Sequence, residues 1–249
     1  MIDPRCVEVV TQAASRLNGT LGGILVGVFV HGSAVLGDFD PERSDVDLLA
    51  VSADPVSSAE RQAVGRELVS LTWPGVGLEF SLVTRAVAER PPERPPFEVH
   101  VETVEGTSVV DGSGRAGDRD LLIHFLVLRH RGEAILGPAP SSVFADPPRE
   151  ATLLAIEDDL RWAIERDKLG YAVLNACRAL RFLKGDLISS KLDAGEWAIE
   201  HRLAPLEVVN EAIVERKGGR AHIPRDEGLA FVERTRALLH REAPSADQP

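Results

Sequence analysis

Apolar and polar positions recur with two different periods over the first hundred residues. Between residues 4 and 17, Val7, Val10, Ala13, Ala14 and Leu17 return every three or four positions, the period of a helix with one apolar face. GILVGVFV at 23–30 is a short unbroken apolar run containing β-branched residues, the pattern of a buried strand. SDVDLLAVS at 44–52 reads as a second strand, with Asp45 and Asp47 leaving one face and Val46 and Leu48 the other. In SSAERQAVGRELVSL, Ser57 and Glu60 stand at capping-box spacing, so a helix starts there. GLEFSLVT at 77–84 alternates as a third strand, with Glu79 and Ser81 on a shared face. PFEVHVET at 96–103 is a fourth, after a proline-rich loop at 91–96.

The texture then changes. EGTSVVDGSGRAGDRD at 105–120 is glycine-rich and polar, which marks a domain boundary. Helical periodicity follows over 119–131, 149–166, 168–184, 190–201, 205–216 and 226–241, and the first two are separated by GPAPSSVFADPP. The terminal EAPSADQP has the composition of a disordered tail. No internal repeat is visible. These patterns predict an α+β chain: a mixed sheet with helices over 1–108, an all-helical domain over 109–241 and a tail over 242–249.

Composition narrows the class. The 249 residues are 44% hydrophobic and 27% charged, as in a soluble globular protein. No run approaches the ~20 apolar residues of a membrane span, and MIDPRCVEVV lacks the form of a secretory signal, so a cytoplasmic location is expected. Cys6 and Cys177 make neither a disulfide framework nor a zinc-spaced cluster and read as packing residues. A net charge of −11, from 28 basic against 39 acidic residues, argues against a long nucleic-acid partner and suits a cationic small substrate.

The chemistry concentrates in VFVHGSAVLGDFDPERSDVDLLAV at 28–51. Asp45 and Asp47, at i and i+2 of a strand, project from one face roughly 7 Å apart along the backbone. They repel each other unless a cation lies between them, and carboxylates are hard donors suited to Mg²⁺ or Mn²⁺. Glu79, on what should be a neighbouring strand, adds a third carboxylate to that face. Gly32 lets a phosphate approach the backbone, and the hydroxyls of Ser33 and Ser44 can donate to its oxygens. A bare Asp-x-Asp or Gly-Ser is common. The informative feature is the set: Gly-Ser at a strand end, an 11-residue gap, Asp-Val-Asp inside an apolar strand and a carboxylate on the next. Together they describe metal-assisted nucleotidyl transfer.

Gly-Ser followed by SDVDLL resembles the DNA polymerase β-type nucleotidyltransferase superfamily. More closely, HGSAVLGDFDPERSDVDLLAV is similar to the aminoglycoside (3'')(9) adenylyltransferases, the streptomycin and spectinomycin resistance enzymes. The similarity continues through GLEFSLV, DRDLLIHFLVLRHRGEAILGP and VLNACRALRFLKGDLISSKLDAGEWAI, over most of residues 20–205. It implies a polymerase β-like nucleotidyltransferase domain followed by a helical bundle. It also implies ATP- and Mg²⁺-dependent transfer of AMP to a hydroxyl of a streptomycin- or spectinomycin-class drug, with two Mg²⁺ ions. Asp45 and Asp47 become metal ligands, Ser33 and Ser44 contact the triphosphate, and Glu79 is the base, a metal ligand or both. Arg178 and Lys191, 13 residues apart, match the family's phosphate-contacting pair.

The acceptor side is less marked. Streptomycin-modifying members carry a Trp near the end of the fourth strand, and none stands near Thr103. Glu98, His100, Asp158, Asp159 and Asp167 are the candidate groups for a drug ammonium. Two alternatives stand beside this reading: transfer to another small-molecule or protein hydroxyl, and an antitoxin of the same fold acting by partner binding. The chain is expected to work as a monomer.

Overall fold

The computed structural model describes residues 1–185 and 188–243. The chain divides into two compact units, Met1–Pro147 and a second beginning at Pro148. Among the described residues no helix is long and apolar enough to cross a membrane.

The first unit contains α1 (Pro4–Leu21), β1 (Leu25–Val30), α2 (Ser33–Leu36), β2 (Val46–Ser52), α3 (Ser58–Val69), β3 (Leu78–Thr84), α4 (Arg85–Glu89), β4 (Val99–Glu102), β5 (Ser108–Asp111), α5 (Leu121–Arg131) and β6 (Glu133–Leu136). Its six strands lie in the order β5-β4-β3-β2-β1-β6. Only β2 and β3 run parallel; the other pairings are antiparallel. The capping box expected at Ser57 and Glu60 is formed.

The sheet is apolar on both faces, which is why its strands read as near-continuous hydrophobic runs. Val28, Val30, Leu48, Ala50, Phe80 and Leu82 pack with Val10, Ala13 and Leu17 of α1 and with Val64 and Leu68 of α3. The intervening residues Phe29, Leu49, Val51 and Val83 turn the other way, onto Leu121, Phe125 and Leu128 of α5 and onto Phe144. Strand period two carries this alternation on to Asp47 and Glu79, so both carboxylates leave the face that α5 covers.

Two short strands were not visible in the residue pattern. SVVD, inside the glycine-rich stretch, pairs with β4, and EAIL pairs with β1. Both strands sit at sheet edges, SVVD inside a glycine-rich polar stretch and EAIL directly after the helical run of α5, so neither stands out as a separate alternating segment. The stretch after 105 is therefore not purely helical. Residues 109–147 belong with the sheet, and the division falls at 147/148 rather than at 108/109. The physical reason is that β6 completes the sheet and α5 covers one of its faces.

The second unit holds α6 (Arg149–Glu165), α7 (Leu169–Gly185), α8 (Lys191–Glu200), α9 (Leu206–Arg216) and α10 (Arg225–Glu242). α7 is buried nearly all round, through Ala172, Val173, Leu174, Ala176, Cys177, Ala179 and Leu180, and packs against the other four. Both cysteines are buried free thiols. α10 runs to Glu242, and the tail expected beyond it lies, from residue 244, outside the described residues.

One buried charge joins α6 to α10. Glu157 is 3% exposed and accepts a hydrogen bond from Arg236 Nε at 2.8 Å. Replacing Arg236 by Met would leave it only the longer contacts to Arg161 (3.7 Å) and His240 (3.5 Å). The expected loss is about 3 kcal/mol of unfolding free energy. Chemical denaturation would show it as a lowered midpoint, and adding Glu157→Gln should recover most of it. An unchanged midpoint in the single variant would show that Arg161 and His240 suffice.

Candidate active site

Parallel pairing of β2 with β3 sets Asp47 beside Glu79 in register, and Asp45 precedes β2 by one residue. One carboxylate oxygen from each of Asp45, Asp47 and Glu79 lies within 4.8 Å of the other two. Three hard donors this close match the needs of a divalent cation such as Mg²⁺, and in its absence they repel one another.

The loop after β1 is built around the same carboxylates. Gly32 has φ +59, and a Cβ added there would sit 1.8 Å from Asp47 Oδ2. The sequence pattern assigned Gly32 to phosphate approach. The structure gives it a second reason, since only glycine leaves room for the Asp47 side chain. The backbone N–H of His31 donates to the Asp47 carbonyl at 3.1 Å and ties this loop to β2. Ser33 follows, and its Oγ is buried with no hydrogen-bond partner among the described residues. A buried hydroxyl left in that state is costly unless a ligand takes it up.

Ser44 has a different position. It is 2% exposed; its Oγ accepts from Asp40 N–H at 3.0 Å, and its own N–H donates to the Asp40 carbonyl at 2.7 Å. It shapes the turn that delivers Asp45, so of the two serines it is Ser33 that offers an unsatisfied oxygen.

The structure adds a pair that the residue pattern did not single out. His124 of α5 has Nε2 3.0 Å from Asp120 Oδ2 and 3.7 Å from Glu79 Oε1. Glu79, Asp120 and His124 form a second group of donors within 4.8 Å, sharing Glu79 with the first. The available signal was a histidine four residues after an aspartate on the apolar face of a helix. Desolvation raises the Glu79 carboxyl, Asp47, Asp120 and Asp45 add to this and His124 opposes it; the balance is upward, to about 8. The Glu79 side chain remains 30% exposed, so solvent screens part of the burial effect while the flanking aspartates keep the direction upward. For His124, burial favours the neutral ring, but Asp120, Glu79 and Asp47 outweigh it and raise the group to about 10. Burial, with His124 adding, takes His31 well below its ordinary range.

The remaining candidates fall in separate places. Glu98 accepts from Val56 N–H at 3.0 Å and pairs with Arg61 at 3.4 Å, tying β4 to α3. His100 lies opposite Ser81 in the β3–β4 register, with Nδ1 3.0 Å from Ser81 Oγ, and burial lowers its pKa. Asp158 pairs with Arg161, and Asp167 pairs with Arg225 at 2.6 Å on the surface.

Within the second unit, Asp159 joins a network with Arg178 and Lys191. Asp159 accepts from Tyr171 Oη at 3.0 Å and from Asn175 Nδ2 at 2.9 Å. Arg178 donates to Asn175 Oδ1 at 3.2 Å and to the Ser189 carbonyl at 3.1 Å. Lys191 Nζ lies 4.6 Å from the Tyr171 ring centroid. Trp162, 37% exposed, stands edge-on to Tyr171 at 5.9 Å. Trp162, Tyr171 and Asn175 were not singled out in the sequence, where helical aromatics read as core.

Substituting Gly32 by Ala is expected to displace the Asp47 carboxylate while leaving the fold intact. Affinity for a divalent-metal nucleotide should fall by about 100-fold, with an unchanged far-ultraviolet circular dichroism spectrum. Titration calorimetry showing wild-type affinity would mean that Asp47 does not need the space Gly32 leaves.

Known proteins resemble this chain in both of its parts. Residues 11–100 match the nucleotidyltransferase domain family, and residues 142–227 match the C-terminal domain of aminoglycoside adenylyltransferase. A crystal structure of spectinomycin adenyltransferase AAD(9) from Enterococcus faecialis, with ATP and spectinomycin, shares the fold at a TM-score of 0.68. That match has 17% identity and covers 90% of this chain and 95% of that one. A toxin–antitoxin crystal structure with AMP-PNP aligns at a TM-score of 0.30 and 14% identity, over 64% of this chain and 93% of the other. The chain is a nucleotidyltransferase and belongs to the aminoglycoside adenylyltransferase family.

Proposed function

We propose that the protein transfers AMP from ATP to a hydroxyl of an aminoglycoside or aminocyclitol antibiotic of the streptomycin or spectinomycin class. The observation that carries this reading is the Asp45–Asp47–Glu79 carboxylate group, set behind a loop whose buried Ser33 hydroxyl lacks a partner. Asp45, Asp47 and Glu79 would hold Mg²⁺, two ions in the full reading. When bound, the metal neutralises the triphosphate and stabilises charge on the attacking and leaving oxygens.

The chain's own residues supply the remaining steps. Ser33 Oγ donates to a phosphate oxygen, and Gly32 keeps Asp47 in place beside it. The acceptor hydroxyl oxygen attacks the α-phosphorus in line; an O–P bond forms, the bond to the bridging oxygen breaks and pyrophosphate leaves. Glu79 takes the hydroxyl proton, a task favoured by a carboxyl whose pKa lies above the ordinary range. Arg178 and Lys191 are the proposed phosphate contacts, as fork and point charge. Asp159, fixed by Tyr171 and Asn175, is an anion suited to a drug ammonium. The net charge of −11 favours a cationic acceptor. The shared fold with a spectinomycin-bound enzyme and the absence of Trp near Thr103 put spectinomycin ahead of streptomycin.

The test is incubation with ATP, Mg²⁺ and a panel of aminoglycosides and spectinomycin, read as AMP adducts by mass spectrometry. Spectinomycin is expected to be modified. Glu79→Gln should lower kcat by about 10³-fold while ATP affinity stays near wild type; Asp47→Asn should lose both. If no drug is modified but pyrophosphate is released with another hydroxyl compound, the acceptor assignment is wrong and the donor half stands. Lost ATP affinity in Glu79→Gln would make Glu79 chiefly a metal ligand.

A further inference from the structure

α5 meets the sheet on the face that carries the carboxylates. Leu121, Phe125 and Leu128 bury against Phe29, Leu49, Val51 and Val83, and His124 occupies the same side of the helix. The apolar contacts therefore carry an imidazole to the strand positions where Asp47 and Glu79 emerge.

Three features hold that ring. Asp120, one turn earlier, takes Nε2 at 3.0 Å. An ionised carboxylate only accepts, so Nε2 carries a hydrogen, whatever the state of Nδ1. The ring packs on His31 with centroids 4.7 Å apart and planes at 49°. His31 is itself 3% exposed, and its backbone is bonded to Asp47. Glu79 Oε1 lies 3.7 Å from the same Nε2. If the position only needed filling, a leucine would serve without bringing a polar edge into a largely buried place. Packing explains the ring contact with His31, but it does not explain an Nε2–H bonded to Asp120 with a second carboxylate 3.7 Å away.

We propose that His124 is a positioning residue for Glu79: fixed by Asp120 and His31, its polar edge faces Oε1 at 3.7 Å and by electrostatic attraction turns the other carboxylate oxygen toward the acceptor hydroxyl. His124 touches neither ATP nor acceptor. The proposal rests on the reading of Glu79 as the base, and the experiment separates the two.

His124→Leu keeps the volume and removes the N–H, whereas His124→Gln keeps an N–H donor. With ATP, Mg²⁺ and spectinomycin, His124→Leu should lower kcat by about 10–100-fold. KM for ATP should stay within about twofold, because ground-state binding of the nucleotide is not involved. His124→Gln should recover part of the loss. A packing role alone predicts the reverse order, with Leu tolerated and Gln harmful. Wild-type kcat in His124→Leu would overturn the proposal. A loss traced to weaker Mn²⁺ affinity, fully restored at saturating metal, would also overturn it by making His124 a metal ligand. If wild-type protein modifies no acceptor, the function proposed above fails by itself, and a crystal structure of His124→Leu still decides this point. Glu79 turned from its wild-type orientation supports the positioning role, and an unmoved Glu79 overturns it. If His124→Leu does not fold, the Gln variant is read by the same two measurements.

Discussion

Mutual repulsion of three carboxylates on one sheet face organises the first unit. Parallel register puts Asp47 beside Glu79, and Asp45 enters from the turn before β2. One oxygen of each lies within 4.8 Å of the other two, so the three repel one another when ionised together. Nearby elements supply relief in different ways. Glycine at 32 gives the Asp47 carboxylate space, the Ser44 turn holds Asp45 at the mouth of the strand, and His124 stands 3.7 Å from Glu79. What these leave uncompensated is the feature a divalent cation would complete.

The same helix serves core and site. α5 covers the β1–β2–β3 face with Leu121, Phe125 and Leu128, and the heptad positions that bury those side chains also place His124. The ring beside Glu79 is therefore held by a helix locked through its neighbours. β6 contributes indirectly, since it extends the sheet beside β1, the strand that leads into His31 and Gly32.

The helical unit solves a different problem, presenting cations in an acidic chain. Arg178 and Lys191 do not stand isolated on a solvated surface. Arg178 is bonded to Asn175 and to the Ser189 carbonyl, Lys191 lies over Tyr171, and Asn175 and Tyr171 both donate to Asp159. Such a network limits the freedom of two long side chains.

Much of this was legible in the chain. Period-two and period-3.6 patterns located β1 to β4 and the long helices, because each buries a repeating face. Asp45, Asp47 and Glu79 stood out because charges inside apolar strands need compensation. Edge strands β5 and β6 did not show, one lying in a glycine-rich polar stretch and the other directly following a helix, and the division between the units was placed too early accordingly. His124, Asp120, Tyr171 and Asn175 were hidden for a related reason: a polar residue on a helix has no partner until another element is packed against it. Local pattern and burial determined which strands and helices form and which acids stand inside apolar strands. Register, helix packing and the space left by Gly32 decided which side chains actually touch, since those contacts join residues more than seventy positions apart in some pairs, such as Arg236 with Glu157, and no local periodicity encodes them.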